Sequence, residues 1–149
     1  MDLIFWRHAE AEDAAAGGDL ARALTKRGRK QAERVGRWLE PRISDEWLIL
    51  SSPAKRAVQT AKGLDRDFEE RDALAPGASA AAILREAGWP DGKRPVLVVG
   101  HQPDLGEAAA RVLGARAGLG IRKGAIWWFS AKGAEVALKC VIDADLVEP

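Results

Sequence analysis

Three short runs of uninterrupted apolar residues constrain this chain more than any other feature: Leu3-Ile4-Phe5-Trp6, Trp47-Leu48-Ile49-Leu50 and Pro95-Val96-Leu97-Val98-Val99. Each is short for a helix, and none shows the apolar–polar alternation of a half-exposed strand. Each therefore predicts a strand buried on both faces, as in a parallel sheet covered by helices.

The segments between these runs read as helices. From Thr25 to Glu40, Ala32, Val35, Gly36 and Leu39 fall at i, i+3, i+4 and i+7, one buried stripe; Thr25 is placed to cap that helix and Pro41 to end it. Ser52 can cap a second helix with Pro53 at its first position, carrying Arg56, Val58, Ala61 and Leu64. The stretch from Asp65 to Ala78 is polar and turn-rich, with a short strand near Phe68. Ser79 to Ala87 predicts a helix stopped at Gly88-Trp89-Pro90. Another follows Gly100-His101-Gln102-Pro103, with Leu105, Ala108, Ala109 and Val112 on one face. Two late strands, Ala125 to Ser130 and Glu135 to Ile142, flank a hairpin turn at Gly133. Glu10 to Asp19 has no clear period and reads as a loop. Strands alternating with helices predict an α/β chain: a three-layer α/β/α sandwich with a mostly parallel sheet, one domain over residues 1–149.

Composition narrows the function classes. Net charge is +1, so no global field favours nucleic acid or an acidic membrane surface, and an anion must be captured by local positive charge. The basic cluster Lys26-Arg27-Arg29-Lys30 is interspersed with Glu33 and Glu40 and reads as a solvated helix face. One cysteine, Cys140, excludes an internal disulfide and a cysteine-rich metal site; its apolar run predicts a buried, inert strand thiol. Asp2 stands where a signal peptide carries basic residues, and no apolar run approaches the roughly 20 residues of a membrane helix. A cytoplasmic protein without membrane partners is expected. Trp127 and Trp128 should point to opposite faces of their strand, one inward and one outward.

In parallel α/β sheets ligands gather at the carboxyl ends of the strands. The first run ends at Arg7-His8. The second ends at Ser51-Ser52-Pro53, with Arg56 one turn on, and the third at Gly100-His101. Both histidines of the chain and two arginines thus converge on one sheet edge. Guanidinium forks suit the oxygens of a phosphate, and helices starting near Pro53 and Pro103 would aim free N–H groups at the same point. A histidine with a free ring nitrogen can act as covalent nucleophile if its other nitrogen is held. Phosphoryl transfer needs mainly positioning and charge neutralisation, so neither metal nor cofactor is expected. Asp104 and Glu107 read as first-turn helix acids, and Gln102 could reach the site but is not counted among its residues.

Arg7-His8 after a buried strand, Ser52-Pro53-x-x-Arg56-Ala57-x-Gln59-Thr60, and Gly100-His101 after another strand together resemble the histidine phosphatase superfamily, whose fold is phosphoglycerate mutase-like. The short chain and the phrase Leu24-Thr25-x-x-Gly28-x-x-Gln31-Ala32 resemble its SixA-type phosphohistidine phosphatases. The resemblance implies that His8 attacks phosphorus and is transiently phosphorylated. It implies that Arg7 and Arg56 hold the phosphoryl oxygens, that His101 donates to them, and that water releases phosphate.

Two departures stand out. The family usually has Gly after the Arg-His pair, where this chain has Ala9. Larger members carry a carboxylate proton donor after the second helix, and no acid between Asp65 and Pro76 matches it. Glu10, next to the nucleophile in sequence, is the runner-up donor. An alkoxide leaving group needs a proton, an effect worth about 10²–10⁴-fold, whereas the imidazole of phosphohistidine leaves readily once its other nitrogen is protonated. The expected substrate is therefore a phosphohistidine on a signalling or phosphotransfer protein. A small phosphorylated metabolite is the alternative within enzymes. A catalytically silent phosphate-binding adaptor is the alternative outside them, disfavoured by the intact His8, Arg7, Arg56 and His101.

Overall fold

The structure is a computed structural model and describes residues 1–148. Six strands form one sheet: β1 (Asp2–Arg7), β2 (Leu48–Ser51), β3 (Glu69–Glu70), β4 (Val96–Gly100), β5 (Ile126–Lys132) and β6 (Glu135–Ile142). Their order across the sheet is β3-β2-β4-β1-β5-β6. The first four in that order run parallel; β5 and β6 are added antiparallel at one side. The helices are α1 (Lys26–Leu39), α2 (Lys55–Ala61), α3 (Ala80–Ala87) and α4 (Asp104–Leu113). None is long and apolar enough to cross a membrane.

The continuous apolar runs are explained by a core on each face of the sheet. Ile4, Trp6, Ile49, Leu97, Val99, Ile126 and Trp128 pack with α1 and α2. Leu3, Phe5, Leu50, Val96, Val98 and Phe129 pack with α3 and α4. Alternate residues of one strand thus enter opposite cores, and β1 and β4 contain no exposed residue. Truncating one of these fully buried aromatics is worth about 3–5 kcal/mol, which places the rigid centre of the fold directly beneath β1 and β4.

Helix ends follow the capping signals. Thr25 Oγ1 accepts from Gly28 N–H at 2.9 Å, and Ser79 caps α3 by accepting from Ala82 N–H at 3.1 Å. Gly88 ends α3 in the left-handed region at φ 70°, and Gly133 makes the β5–β6 turn at φ 60°. Gly28 is required for a different reason: a Cβ there would overlap the Glu10 carbonyl, so α1 sits directly on the backbone that follows His8.

Four expectations need correction. First, α2 starts at Lys55 with Ala54 as an N-cap that makes no side-chain bond. Ser52 is instead drawn toward β4, where its hydroxyl meets His101. Second, the buried face of α2 is Arg56, Ala57, Thr60 and Ala61; Val58 is only half-buried, and Leu64 is buried beyond the helix end. Third, Trp128 enters one core while Trp127 packs against the other, because both sheet faces are covered at that point. Fourth, Cys140 is half-buried rather than buried, because β6 is an edge strand; partial burial still pushes its thiol upward, away from reactivity.

Candidate functional site

The register of the sheet assembles the site. β1 lies beside β4 with Arg7 opposite Gly100, and His8 N–H donates to the Gly100 carbonyl at 3.0 Å. Ser52 N–H donates to Val99 O at 3.0 Å, which brings the end of β2 level with both. His8 and His101 thereby face each other with ring centroids 5.2 Å apart, both buried. Arg7, His8, Arg56 and His101 line one cavity of about 410 Å³, together with Arg22, Gln102, Asp104 and Lys123.

His8 is held by its own turn. Its Nδ1–H donates to the Ala9 carbonyl at 2.8 Å; a carbonyl can only accept, so the proton is on Nδ1 and the lone pair on Nε2. Ala9 N–H in turn donates to Thr60 Oγ1 at 3.0 Å, and Thr60 donates to the Arg56 carbonyl at 2.8 Å. The nucleophile's turn is thus bolted to the helix that carries Arg56. The Ala9 methyl is buried in the α1–α2 core.

The two arginines are organised alike. Arg7 spends a terminal N–H on the Ile121 carbonyl at 2.8 Å, and Arg56 spends both ends of its fork on Asp19, at 2.9 Å to the carbonyl and 3.1 Å to the carboxylate. In each, the Nε–H is buried without a partner, and so is His101 Nδ1. When Ser52 Oγ, 2.7 Å away, donates to His101 Nε2, the ring proton lies on Nδ1. Orphaned buried donors are rare and costly. All three belong to residues that line one cavity with a neutral histidine whose Nε2 is unprotonated.

Electrostatics point the same way. Burial, reinforced by the charges of Arg56, Arg7 and Arg22, pushes His8 down to about 4, against the opposing bond to Ala9. Burial and the neighbouring His8 and Arg56 push His101 down to about 3. Both rings are neutral at physiological pH. Their folded pKa values lie below the ordinary 6.5, so between about pH 6.5 and 4 the unfolded chain binds protons that the folded chain refuses. Stability is therefore full above that window and falls as pH drops through it, by on the order of 3 kcal/mol per histidine. Urea unfolding at a series of pH values checks this; a midpoint unchanged between pH 7 and 4.5 contradicts it.

The structure gathers Arg7, His8, Arg56 and His101, and it leaves Glu10 outside. The Glu10 carboxylate accepts from Thr25 Oγ1 at 2.9 Å and pairs with Arg27 at 3.4 Å, which ties it to the start of α1. Gln102 borders the cavity, but its amide is engaged with the backbone of Leu119 and Gly106. Asp104 is a first-turn acid of α4, as expected, and it is also buried: it is 6% exposed, and its Oδ2 accepts from Gly77 N–H at 2.8 Å. Sequence reasoning also missed Asp19, Arg22 and Lys123. They sit on the aperiodic loop after β1 and the turn before β5, where no pattern marks them. A larger groove of about 730 Å³ lies at the amino end of β2, along Asp45–Ile49 and Lys62–Glu69; it contains no histidine. Among the described residues, no group of three or more His, Cys, Asp or Glu side chains is placed to hold a metal ion.

Comparison with known proteins bears directly on this geometry. The sequence model of the histidine phosphatase superfamily (branch 1) matches residues 3–77. A phosphohistidine phosphatase SixA homolog of Haemophilus influenzae is 34% identical over 131 residues, covering 78% of this chain and 79% of that one. The protein histidine phosphatase SixA, solved with tungstate, superposes with a TM-score of 0.81 at 21% identity over 99% of this chain and all (100%) of that one. A phosphoserine phosphatase mutant of Entamoeba histolytica, solved with phosphoserine, gives 0.74 at 16% identity over 96% and 97% of the two chains. At these identities the solved structures speak for the fold, which is phosphoglycerate mutase-like.

Proposed function

The chain belongs to branch 1 of the histidine phosphatase superfamily, and from that premise we propose that it is a metal-independent phosphatase that works through a phosphohistidine intermediate on His8. The observation that carries the reading is a set of unpartnered buried nitrogens, Arg7 Nε, Arg56 Nε and His101 Nδ1, on residues that share a cavity with a histidine whose Nε2 is unprotonated. Nε2 attacks phosphorus in line while the donors neutralise the equatorial oxygens, and water then hydrolyses the P–N bond.

The substrate we favour is a phosphohistidine on a partner protein. The SixA-named relative supports this, and so does the rim. Between β3 and α3 the described chain carries only a single 3-10 turn, Asp72–Leu74, so no helical insertion covers the cavity. A phosphorylated metabolite is the second reading, supported by the fold shared with the phosphoserine phosphatase. A silent adaptor would have no use for a desolvated, unprotonated histidine beside a phosphate site.

Turnover of a phosphohistidine peptide should exceed that of sugar phosphates and phosphoserine by at least about tenfold in kcat/KM. Faster turnover of a small phosphate ester supports the metabolite reading instead. Phosphate binding without any turnover supports the adaptor.

A further inference from the structure

Asp104 is the only acidic side chain among the described residues that is buried, and the chemistry above gives it no part. It lies three residues beyond His101, at the first position of α4, and lines the cavity that holds His8 and both arginines. Pro76-Gly77 lines the same cavity, and Asp104 accepts the Gly77 N–H. Any neutral acceptor, such as an asparagine, could take that N–H without the cost of burying a charge. What a carboxyl adds is the capacity to carry a proton.

The other acids near the cavity are placed differently. Asp19 is held below the usual carboxylate range by Arg22 and Arg56. Glu10 is committed to Thr25 and Arg27. Asp13, on the loop after β1, also lines the cavity but is exposed to solvent and not held in place by burial. Burial moves Asp104 the other way, upward, against the N–H groups of Gly77 and Ala78 that favour the anion.

We propose that Asp104 is the proton donor to the leaving group, an inference that rests on the phosphatase reading of the site. In the first step His8 Nε2 forms its bond to phosphorus as the bond to the leaving atom breaks. The Asp104 proton moves to that atom, an ester oxygen or a ring nitrogen, and leaves Asp104 as a carboxylate. In the second step the carboxylate takes a proton from water as the water oxygen attacks phosphorus. The P–N bond breaks, phosphate leaves, and both residues regain their starting states. A donor in place opens the site to oxygen esters as well as phosphohistidine.

The test varies the leaving group with kcat/KM as readout, using para-nitrophenyl phosphate (a good leaving group) and phenyl phosphate (a poor one). With Asp104 donating, the intact protein is nearly indifferent between them. Asp104→Asn, which keeps the acceptor for Gly77 N–H, loses no more than about threefold on para-nitrophenyl phosphate and about 100-fold on phenyl phosphate. Equal losses on both esters, or none, overturn the donor and leave Asp104 as a clasp on the Pro76-Gly77 lip. A steep preference for para-nitrophenyl phosphate in the intact protein overturns it too, without any variant having to fold. If the intact protein forms no phosphoenzyme, the phosphatase reading itself fails; if the phosphoenzyme forms but the losses are equal, only the donor fails.

Discussion

Replacing His8 by alanine is expected to lower kcat/KM by about 10⁴-fold or more on every phosphorylated substrate, while leaving the fold intact. The size of the effect follows from the site's construction. His101, although 5.2 Å away between ring centroids, cannot substitute. Its Nε2 is engaged with Ser52, and in the proposed mechanism its Nδ1 donates to the phosphoryl group rather than attacking it. The fold should survive because the Ala9 turn keeps its bond to Thr60 and the backbone bond from residue 8 to Gly100 remains. Removing the ring should also abolish His8's share of the stability lost between pH 6.5 and 4, so thermal melts at both ends of that range check folding and electrostatics together. Residual activity within about tenfold of the parent would mean that another group attacks phosphorus.

Arg56→Ala should be the next most damaging change, with a loss of about 10³-fold in kcat/KM. Arg56 is buried, its fork is oriented by Asp19, and its Nε–H is left without a partner, which in the proposed mechanism is free for the phosphoryl group. Arg56→Lys should recover less than about tenfold of that loss. An ammonium is a point charge, and it cannot bond Asp19 while presenting a second edge to the substrate. Steady-state kinetics on para-nitrophenyl phosphate, with inhibition by inorganic phosphate measured alongside, separate the two contributions. If Arg56 holds the phosphoryl group, phosphate inhibition weakens along with turnover. Full activity in the lysine variant would show that Arg56 supplies charge alone.

The strands were the most legible part of the sequence, because burial on both faces leaves uninterrupted apolar runs that no other environment selects. Arg7, His8 and His101 followed directly from them, since each stands where such a run stops. Arg56 was legible from its spacing after Ser52-Pro53, even though those two residues do not start the helix as expected. Ser52 serves His101 instead, a use that only the β2–β4 register creates.

The residues that were missed share a physical cause. Asp19 and Arg22 lie on a loop whose path is set by tertiary hydrogen bonds, and such bonds leave no period in the sequence. Asp104 occupies a position where an acid is stabilised by the helix dipole, and it is buried where Pro76-Gly77 packs against it. Glu10 was considered for its closeness in sequence to His8, but the close approach of Gly28 to its carbonyl directs its carboxylate toward α1. Cys140 was expected in a core on the strength of its apolar neighbours, yet an edge strand carries the same composition with half the burial.

These absences matter for substrate choice. The expectation of phosphohistidine leaned on a missing acid, and the structure supplies a buried carboxyl from a different element, α4, at the same cavity. The phosphohistidine reading then rests on the uncovered rim and the relatives, while the question of oxygen esters passes to Asp104.

The central claim is that phosphate passes through His8, and its most direct measurement is to catch it there. The protein would be quenched in alkali during turnover of a phosphohistidine peptide, digested, and its phosphorylated residue located by mass spectrometry. The account predicts a phosphoryl group that is stable in alkali, lost in acid, carried on His8 and absent from His8→Ala. A phosphoenzyme on any other residue, one that persists in His8→Ala, or turnover with no phosphoenzyme at all would contradict it.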